Sequence, residues 1–575
     1  MTLLFREVEM NVSDIAADWL AHVDEADRKA VADLIAGPAS DLADAFWRDL
    51  AFGTGGMRAV LGMGTNRLNS YTVARASQGV ASYLASREGG PQVAIAYDTR
   101  RMSRELAERA ACVFAGNGVQ TYLFSQVAPT PLLSFAVRDL GCDAGIVITA
   151  SHNPAEYNGF KVYGSDGCQI TTEAARAIQR EINAVEIFRD VLSAAFERAV
   201  DGGFIRYVPH ELVERYYAAT LSVSTGEPVH DVELVYSPLN GTGNVPVRTV
   251  LERLGVDRIE VVGAQELPDP FFTTCPKPNP ENQAALELGF QLCRESGISL
   301  LVATDPDADR VGVGVLHEGA EVRLSGNEIG LLLLDWLASR LSDADCAQKV
   351  AMTTIVSAPM ADDIARHYGF ELRRTLTGFK FIGEQIGLLE QEGRVDNFLF
   401  AFEESLGYLK GTDVRDKDGV QAVILICELV AHYRAQGMDL VDARDDLYRR
   451  FGSWSGTQMS VDFPGEQGAR DMDAALARLR STPPSNLAGI GIDQRFDYRD
   501  GAPMPAVNGT GAAQMLPPAN VLEYRLQDGS RILIRPSGTE PKLKVYVFAR
   551  GASMVAASSL CTALEEELKR LLLSV

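Results

Sequence analysis

The 575-residue chain is short of positive charge, of paired cysteines and of long apolar runs. Lys and Arg number 54 against 77 Asp and Glu, a net charge of −23, which argues against a general nucleic-acid or anionic-membrane role. The eight Cys are scattered over positions 112, 142, 168, 275, 293, 346, 427 and 561 with no C-x-x-C pair. That spacing argues against both a disulfide framework and a zinc site. No apolar run approaches the ~20 residues that span a bilayer; the longest, near Leu331–Leu334, stops at Asp335. The N-terminus, Met1-Thr-Leu-Leu-Phe-Arg-Glu7, carries charge where a signal peptide needs an apolar core. The expectation is a soluble, cytoplasmic protein without a nucleic-acid or membrane partner. Such an acidic chain must gather its cations locally to bind an anion, so Arg or Lys inside a Gly-rich loop is informative.

What is present is the composition of a folded globular protein, 46% hydrophobic and 23% charged. The length allows roughly four domains of ~150 residues. Residues 11–50 alternate apolar and acidic positions at helical spacing and predict an N-terminal helical extension. Three later segments are alike: Val93-Ala-Ile-Ala-Tyr-Asp98, Val232-Glu-Leu-Val-Tyr-Ser237 and Val350-Ala-Met-Thr-Thr-Ile355. Each is a strand-like run followed by a polar loop and an amphipathic helix (Arg104–Gly116, Val245–Leu254, Met360–His367). They predict three related α/β units with mixed or mainly parallel sheets covered on both faces. From about Ser453 the pattern changes to alternating strands with helices at Ala469–Leu479 and Ala556–Leu573, an α+β unit. The Gly/Pro/Asn-rich stretch 501–520 reads as a surface loop.

Several loops carry chemistry. Asp143-Ala-Gly-Ile-Val-Ile-Thr149 predicts a buried strand, and Ser151 follows it in Thr149-Ala-Ser-His-Asn-Pro-Ala-Glu-Tyr-Asn-Gly-Phe-Lys161. Asn158-Gly159 reads as a turn and Thr171-Thr172-Glu173 as a helix N-cap. A serine needs a partner for its proton or a charge for its product; His152 and Lys161 supply both. Asp305-Pro-Asp307-Ala-Asp309-Arg310 follows the strand Ile298–Ala303. Three acids at alternate positions can converge on one hard cation; without the Gly and Glu of an EF-hand they suit Mg²⁺. Arg535-Pro-Ser537-Gly538-Thr539-Glu-Pro-Lys542 offers backbone N–H groups, hydroxyls and a guanidinium fork, a phosphate cradle. Glu403, Glu404 and Ser405 can bind sugar hydroxyls, and Lys380, in Thr377-Gly378-Phe379-Lys380, can act as an acid or a phosphate contact. The Gly-rich loop Phe52-Gly-Thr-Gly-Gly-Met-Arg58 ends in a cation. The charges of Asp413, Arg415, Asp416, Lys417 and Asp418 read as a solvated loop.

In this order, the Ser, three-Asp, Glu-Glu-Ser and Arg-Pro-Ser-Gly-Thr loops resemble the α-D-phosphohexomutase superfamily over essentially the whole chain. The spellings are most similar to the branch of phosphoglucomutases and phosphomannomutases that includes phosphopentomutase and glucose-1,6-bisphosphate synthase. The resemblance implies three similar α/β mixed-sheet domains plus a smaller C-terminal α+β domain, heart-shaped with a central cleft. The expected domains are 1–205, with the helical extension and phosphoserine loop, 206–322, with the metal loop, 323–450, with the sugar loop, and 451–575, with the phosphate loop.

The implied reaction moves a phosphoryl group between positions 1 and 6 of a hexose through a phosphoserine and a 1,6-bisphosphate. Glucose 1-phosphate and glucose 6-phosphate are the first expectation. Phosphomannomutase, phosphopentomutase and bisphosphate synthase are the alternatives. Ser151 would carry the phosphoryl group and help Asp305, Asp307 and Asp309 hold one Mg²⁺. Arg58, His152, Lys161 and Lys380 would steady charge or move protons. Arg310, Thr377, Gly378, Glu403, Ser405, Arg535, Ser537, Gly538 and Thr539 would bind substrate. Glucose 1,6-bisphosphate would serve as activator and intermediate, and the enzyme would be a monomer or homodimer. Many relatives end the sugar loop in Ser-Gly-His; here it is Ser405-Leu-Gly-Tyr408. A sugar-phosphate sensor would not need Ser151 with all three Asp. A Mg²⁺-dependent phosphatase would leave the Arg535–Lys542 loop unexplained.

Overall fold

The computed structural model describes residues 12–573 except 54, 86–88, 510–514 and 538–541. The chain packs as two compact units. The first comprises Met1–Ser224, Val229–Gly314 and Gly411–Ile424; the second comprises Thr225–Pro228, Val315–Lys410 and Leu425–Val575.

In the first unit, helices Val12–His22, Glu25–Ala36 and Ala39–Phe46 form the expected extension. Trp19 packs edge-on against Phe46, Tyr71 and Phe188, and this small core fastens the helices to the sheet domain behind them. The sheet contains β1 (Gly56–Val60), β2 (Gln92–Tyr97), β3 (Gln120–Leu123), β4 (Ala144–Ile148), β5 (Tyr157–Gly164) and β6 (Ile205–Tyr207). Their order is β1-β5-β4-β2-β3-β6. β4, β2, β3 and β6 run parallel, and β5 is antiparallel to both of its neighbours. β2 and β4 are unbroken apolar runs because both of their faces are covered. Val93, Ile95, Ile146 and Ile148 pack with Leu106 and Phe114 of helix Ser103–Gly116.

This topology places the serine. After β2 the chain crosses to β3 on one side, then returns to β4 on the other. The loops leaving β2 and β4 therefore diverge at a topological switch point, where open α/β sheets bind their ligands. Ser151 is in the loop after β4, and Arg100 is in the loop after β2. In the same unit β7 (Glu233–Ser237) lies parallel between β8 (Arg258–Val261) and β9 (Leu300–Thr304). The three-Asp loop joins β9 to β10 (Val311–His317).

The second unit includes β11 (Ala320–Leu324) and a sheet in which β12 (Val350–Thr354) lies parallel between β13 (Glu371–Thr375) and β14 (Phe398–Glu403). β15 (Gly407–Leu409) turns back antiparallel on β14. The three look-alike segments of the sequence are thus β2, β7 and β12, each a central strand with parallel neighbours on both sides. The tail is different. β16 (Ser453–Asp462), β17 (Asn486–Leu487) and β18 (Ile490–Asp497) come first, then the short β19 (Ala502–Pro503), β20 (Ala506–Val507) and β21 (Met515–Leu516). β22 (Leu522–Leu526), β23 (Arg531–Pro536) and β24 (Lys542–Gly551) complete it. An antiparallel sheet of order β16-β24-β23-β22-β18-β17 packs Ile532, Ile534 and Val545 on Leu476 and Leu479 of helix Gly465–Ser481 and on Leu564 and Leu568 of helix Met554–Leu573. The fold is α/β with a C-terminal α+β part, as expected. Among the described residues no helix is long and apolar enough to cross a membrane.

Two local expectations fail. Asn158-Gly159 is not a turn: both lie inside β5, where they pair with Ala59 and Arg58 of β1. Glycine is required there by close packing, since a Cβ on Gly159 would stand 2.4 Å from the Thr149 carbonyl oxygen and 2.9 Å from that of Met57. The Asn158 amide is buried and donates to the Arg101 carbonyl and to Ser103 Oγ. Stretch 501–520 is not only a surface loop either, because β20 adds an antiparallel edge to β13 and β19 pairs with β21.

Candidate active site

The Ser151 loop is held from beneath. Arg100 and Asp98, both fully buried, form an ion pair at 3.3 Å. The Arg100 guanidinium donates to the main-chain carbonyls of Ser151, Asn153, Pro154 and Tyr157. Five donors in a rigid plane suit this gathering of carbonyls. Ser151 itself adopts a left-handed backbone (φ 52°), and its N–H donates to Thr149 Oγ1 at 2.8 Å. A strained serine at a strand end marks a presented side chain.

Several of the expected site residues converge on that loop. Ser151 Oγ donates to Asp305 Oδ2 at 2.8 Å and lies 3.1 Å from His152 Nδ1. Burial, then the charges of Arg310 and Arg58, hold the His152 imidazole well below its ordinary pKa, so the ring is neutral at pH 7. Arg58, on β1 rather than in a free loop, donates to Asn153 Oδ1 at 3.0 Å. Lys161 Nζ, on β5, donates to Asp307 Oδ2 at 2.9 Å. Thr130 anchors the acidic loop from the start of helix Thr130–Asp139, its N–H on the Asp307 carbonyl and its hydroxyl on Asp307 Oδ2. The Arg310 N–H donates to Asp305 Oδ1 at 3.1 Å.

The three carboxylates have the donor set of a hard-cation site. Each of Asp305, Asp307 and Asp309 offers an oxygen within 4.8 Å of the others, and all three are buried. Among the described residues Asp307 Oδ1 and Asp309 Oδ1 have no hydrogen-bond partner. Buried carboxylate oxygens left without donors are costly, and one divalent cation satisfies them together. Burial, then the charges of Asp307 and Asp309, push the Asp305 carboxyl well above its ordinary range. Burial is the largest single influence on Asp307 and acts to raise it, but the charge of Lys161, hydrogen bonds with Asp305 and Lys161, and the charge of Lys417 together hold that group low. A second cluster, His317 with Asp439 and Asp442, is a helix cap: Asp439 accepts from the N–H groups of Val441 and Asp442.

In the second unit Glu403 Oε1 accepts from the Gly378 N–H at 2.9 Å, so the Thr377-Gly378 turn and the Glu403–Ser405 loop are tied together. Glu404 Oε2 accepts instead from Thr354 and Ser357. Lys380 is buried at the start of helix Phe379–Gln391; burial pulls its pKa down, with Glu384 opposing. Tyr408, which ends the expected sugar loop, is buried opposite Phe402 in the β14–β15 pair. Arg535, at the end of β23, donates to Tyr546 Oη at 3.0 Å. The Ser537 N–H closes the hairpin on the Lys542 carbonyl. Gly538 and Thr539 lie outside the described residues.

Family models for phosphoglucomutase/phosphomannomutase match all along the chain. The α/β/α domain I model matches residues 49–187, domain II 214–318, domain III 325–451 and the C-terminal domain 494–558. The chain belongs to the phosphoglucomutase/phosphomannomutase family. It is an enzyme, an intramolecular phosphotransferase acting on phosphohexoses. Phosphoglucomutase of Staphylococcus aureus (strain bovine RF122 / ET3-1) is 36% identical over 506 residues, 88% of this chain and 90% of that one. Phosphoglucomutase of Staphylococcus epidermidis is 36% identical over 501 residues, 87% of this chain and 90% of its own. Two solved structures share the fold. A phosphoglucomutase/phosphomannomutase family protein from Burkholderia thailandensis has a TM-score of 0.64 at 18% identity, covering 91% of this chain and 98% of that one. The open form of pp63/parafusin from Paramecium has a TM-score of 0.67 at 17% identity, covering 91% and 94%.

The largest correction within this phosphohexose mutase concerns residues 413–418. They are not a solvated loop, since Arg415, Asp416 and Asp418 are buried. Lys417 Nζ lies 3.2 Å from Asp309 Oδ2 and 3.1 Å from Asp416 Oδ1, and Tyr163 Oη donates to Asp416 Oδ2 at 2.8 Å. Asp418 accepts from the Val420 and Gln421 N–H groups and from Tyr216 Oη. Sequence reasoning missed Lys417, Asp416, Tyr163, Thr130 and Arg100. The available signal was Asp98-Thr-Arg100 directly after an apolar strand.

Proposed function

We propose that this enzyme interconverts hexose 1- and 6-phosphates, glucose phosphates first, and that Ser151 carries the phosphoryl group between half-reactions. The observation that carries the reading is the buried hydrogen bond from Ser151 Oγ to Asp305 Oδ2, 2.8 Å, inside the three-Asp cluster. An ordinary structural serine has no need of three carboxylates, two of them with oxygens that have no hydrogen-bond partner among the described residues. The name phosphoglucomutase on relatives 36% identical supports glucose as the sugar.

In the first half-reaction the P–Oγ bond of phosphoserine breaks as a bond forms from phosphorus to the substrate's free hydroxyl oxygen. The hydroxyl proton passes to a neighbouring base, for which the neutral His152 stands beside Ser151, while the Lys161 ammonium steadies charge at the acidic loop. The product is glucose 1,6-bisphosphate, which also serves as activator. In the second half-reaction its other phosphoryl group returns to Ser151 Oγ, and the proton goes to the freed sugar oxygen. Asp305, Asp307 and Asp309 fit Mg²⁺, which when bound supplies charge neutralisation on the transferring phosphoryl oxygens. Arg58 and Arg310 add fixed positive charge on that side. Thr377, Gly378, Glu403 and Ser405 are assigned to the sugar hydroxyls, Lys380 to proton or phosphate handling, and Arg535, Ser537, Gly538 and Thr539 to the phosphate not being transferred. We take the domain limits to be residues 205, 322 and 450. We also take the enzyme to act in the cytoplasm as a monomer or homodimer.

The test is a parallel assay on glucose, mannose and ribose 1-phosphates with Mg²⁺ and a trace of glucose 1,6-bisphosphate, on wild type and Ser151→Ala. Isomerisation of glucose 1-phosphate that vanishes in the variant supports the reading. Faster turnover of another sugar renames the substrate, and release of inorganic phosphate removes the mutase mechanism.

A further inference from the structure

Each acid of the three-Asp loop uses its oxygens in a pattern. Asp305 Oδ2 takes the Ser151 hydroxyl and Oδ1 the Arg310 N–H. Asp307 gives Oδ2 to Lys161 at 2.9 Å, and its Oδ1 has no hydrogen-bond partner among the described residues. Asp309 gives Oδ2 to Lys417 at 3.2 Å, with Lys161 at 3.9 Å; its Oδ1 likewise has no hydrogen-bond partner among the described residues and lies 3.7 Å from Arg310 Nε. A lysine thus takes one oxygen of Asp307 and another lysine one oxygen of Asp309, leaving the second oxygen of each for a cation.

Lys417 is itself firmly placed. Its side chain is only 12% exposed, and its ammonium pairs with Oδ1 of Asp416, whose Oδ2 accepts from Tyr163. Its backbone is fastened to the acidic loop two residues later, where the Gly419 N–H donates to the Ala308 carbonyl at 3.1 Å. A Cβ on Gly419 would stand 2.6 Å from that carbonyl oxygen, so the approach is as close as the chain permits.

We propose that Lys417 and Asp416 form an adjustable charge pair that sets the affinity of the acidic loop for its divalent cation, with Lys417 the positioning residue for Asp309. This rests on the reading that Asp305, Asp307 and Asp309 hold the cation. Lys417 opposes cation binding by its charge while engaging Asp309 through Oδ2, which leaves Oδ1 for the cation; Asp416 offsets part of that charge. The physical consequence is a pair of effects of opposite sign. Removing the lysine charge must tighten divalent cation binding, and removing the Asp416 charge must loosen it. A purely structural role predicts weaker binding for both. At the effective dielectric of a buried polar site, one unit charge a few ångströms from a divalent cation amounts to ~10-fold or more in affinity.

The experiment measures Mn²⁺ binding by calorimetry and electron paramagnetic resonance, with Mg²⁺ in competition. It uses the full chain in a Ser151→Ala background, which removes variation in serine phosphorylation. The expected result is Lys417→Met ~10-fold tighter than the parent, Asp416→Asn ~10-fold weaker, and Lys417→Arg within ~3-fold of the parent. Circular dichroism and thermal melting establish that each variant is folded. Equal or weaker binding in a folded Lys417→Met overturns the inference and leaves the cation site standing. If neither the wild type nor the parent binds Mn²⁺, or if binding is unchanged after Asp309→Asn, the cation reading itself falls and this inference with it.

Discussion

Arg100 lies against the main-chain carbonyl of Ser151, and the same guanidinium reaches the carbonyls of Asn153, Pro154 and Tyr157. The serine's position is therefore set by a cation on its far side as well as by the acids on its near side. Lysine cannot reproduce a planar fork shared among four carbonyls and Asp98. Arg100→Lys is expected to lower kcat ~100-fold with little change in KM, since misplacing a reacting atom by about an ångström has that effect. Steady-state kinetics on the folded variant checks it; a change confined to KM would contradict the positioning role.

Removal of the divalent cation tests the acidic loop. Chelation is expected to abolish turnover, and Mg²⁺ to restore it. Asp309→Asn is expected to raise the Mg²⁺ concentration needed for half-maximal rate and to lower the maximal rate by about two orders of magnitude, because a charge-neutralising ligand is lost where phosphoryl charge develops. Titration of rate against Mg²⁺ reads both effects.

Asp418 makes stability depend on pH. Burial pushes its carboxyl up from an ordinary 3.8 to about 7, against hydrogen bonds from the Gln421 N–H, Tyr216 and the Val420 N–H. Between those values the folded state holds more protons than the unfolded one, so this group's contribution is fully present at low pH and declines as pH rises from about 4 to about 7. The slope for one group is at most about 1.4 kcal/mol per pH unit. Urea unfolding of wild type and Asp418→Asn from pH 5 to 8 is expected to show the wild type losing stability relative to the variant as pH rises. Parallel curves would contradict the assignment.

Gly159 tests the strand packing behind the serine loop. Alanine there would push its Cβ into the Thr149 and Met57 carbonyl oxygens. Gly159→Ala is expected to destabilise the protein by about 2–4 kcal/mol, read from denaturant midpoints, and to reduce activity through displacement of Thr149.

Much of this was legible in the sequence, for reasons that differ by residue. Ser151, Asp305, Asp307 and Asp309 stand in contiguous loops directly after apolar strands, so chemistry and local structure are written together. Val93, Val232 and Val350 begin alike because each strand occupies the centre of a covered sheet and needs the same apolar run. Asn158-Gly159 misled because a turn dipeptide and a glycine forced by close backbone approach are spelled identically. Lys417 and Asp416 were invisible for a different reason. A run of five charges is normally solvated, and long-range contacts such as those of Gly419 with Ala308, Tyr163 with Asp416 and Tyr216 with Asp418 bury three of these. The strand Ala506–Val507 is two residues long, too short to carry a period.

The central claim is that Ser151 carries the phosphoryl group. The direct measurement is peptide mass spectrometry of the enzyme after incubation with glucose 1,6-bisphosphate and Mg²⁺, in parallel with Ser151→Ala. The account predicts phosphate on Ser151 in the wild type, lost on addition of excess glucose 1-phosphate or glucose 6-phosphate, and no phosphate anywhere in the variant. Turnover with Ser151 unmodified throughout, or phosphate on a different residue, would contradict it.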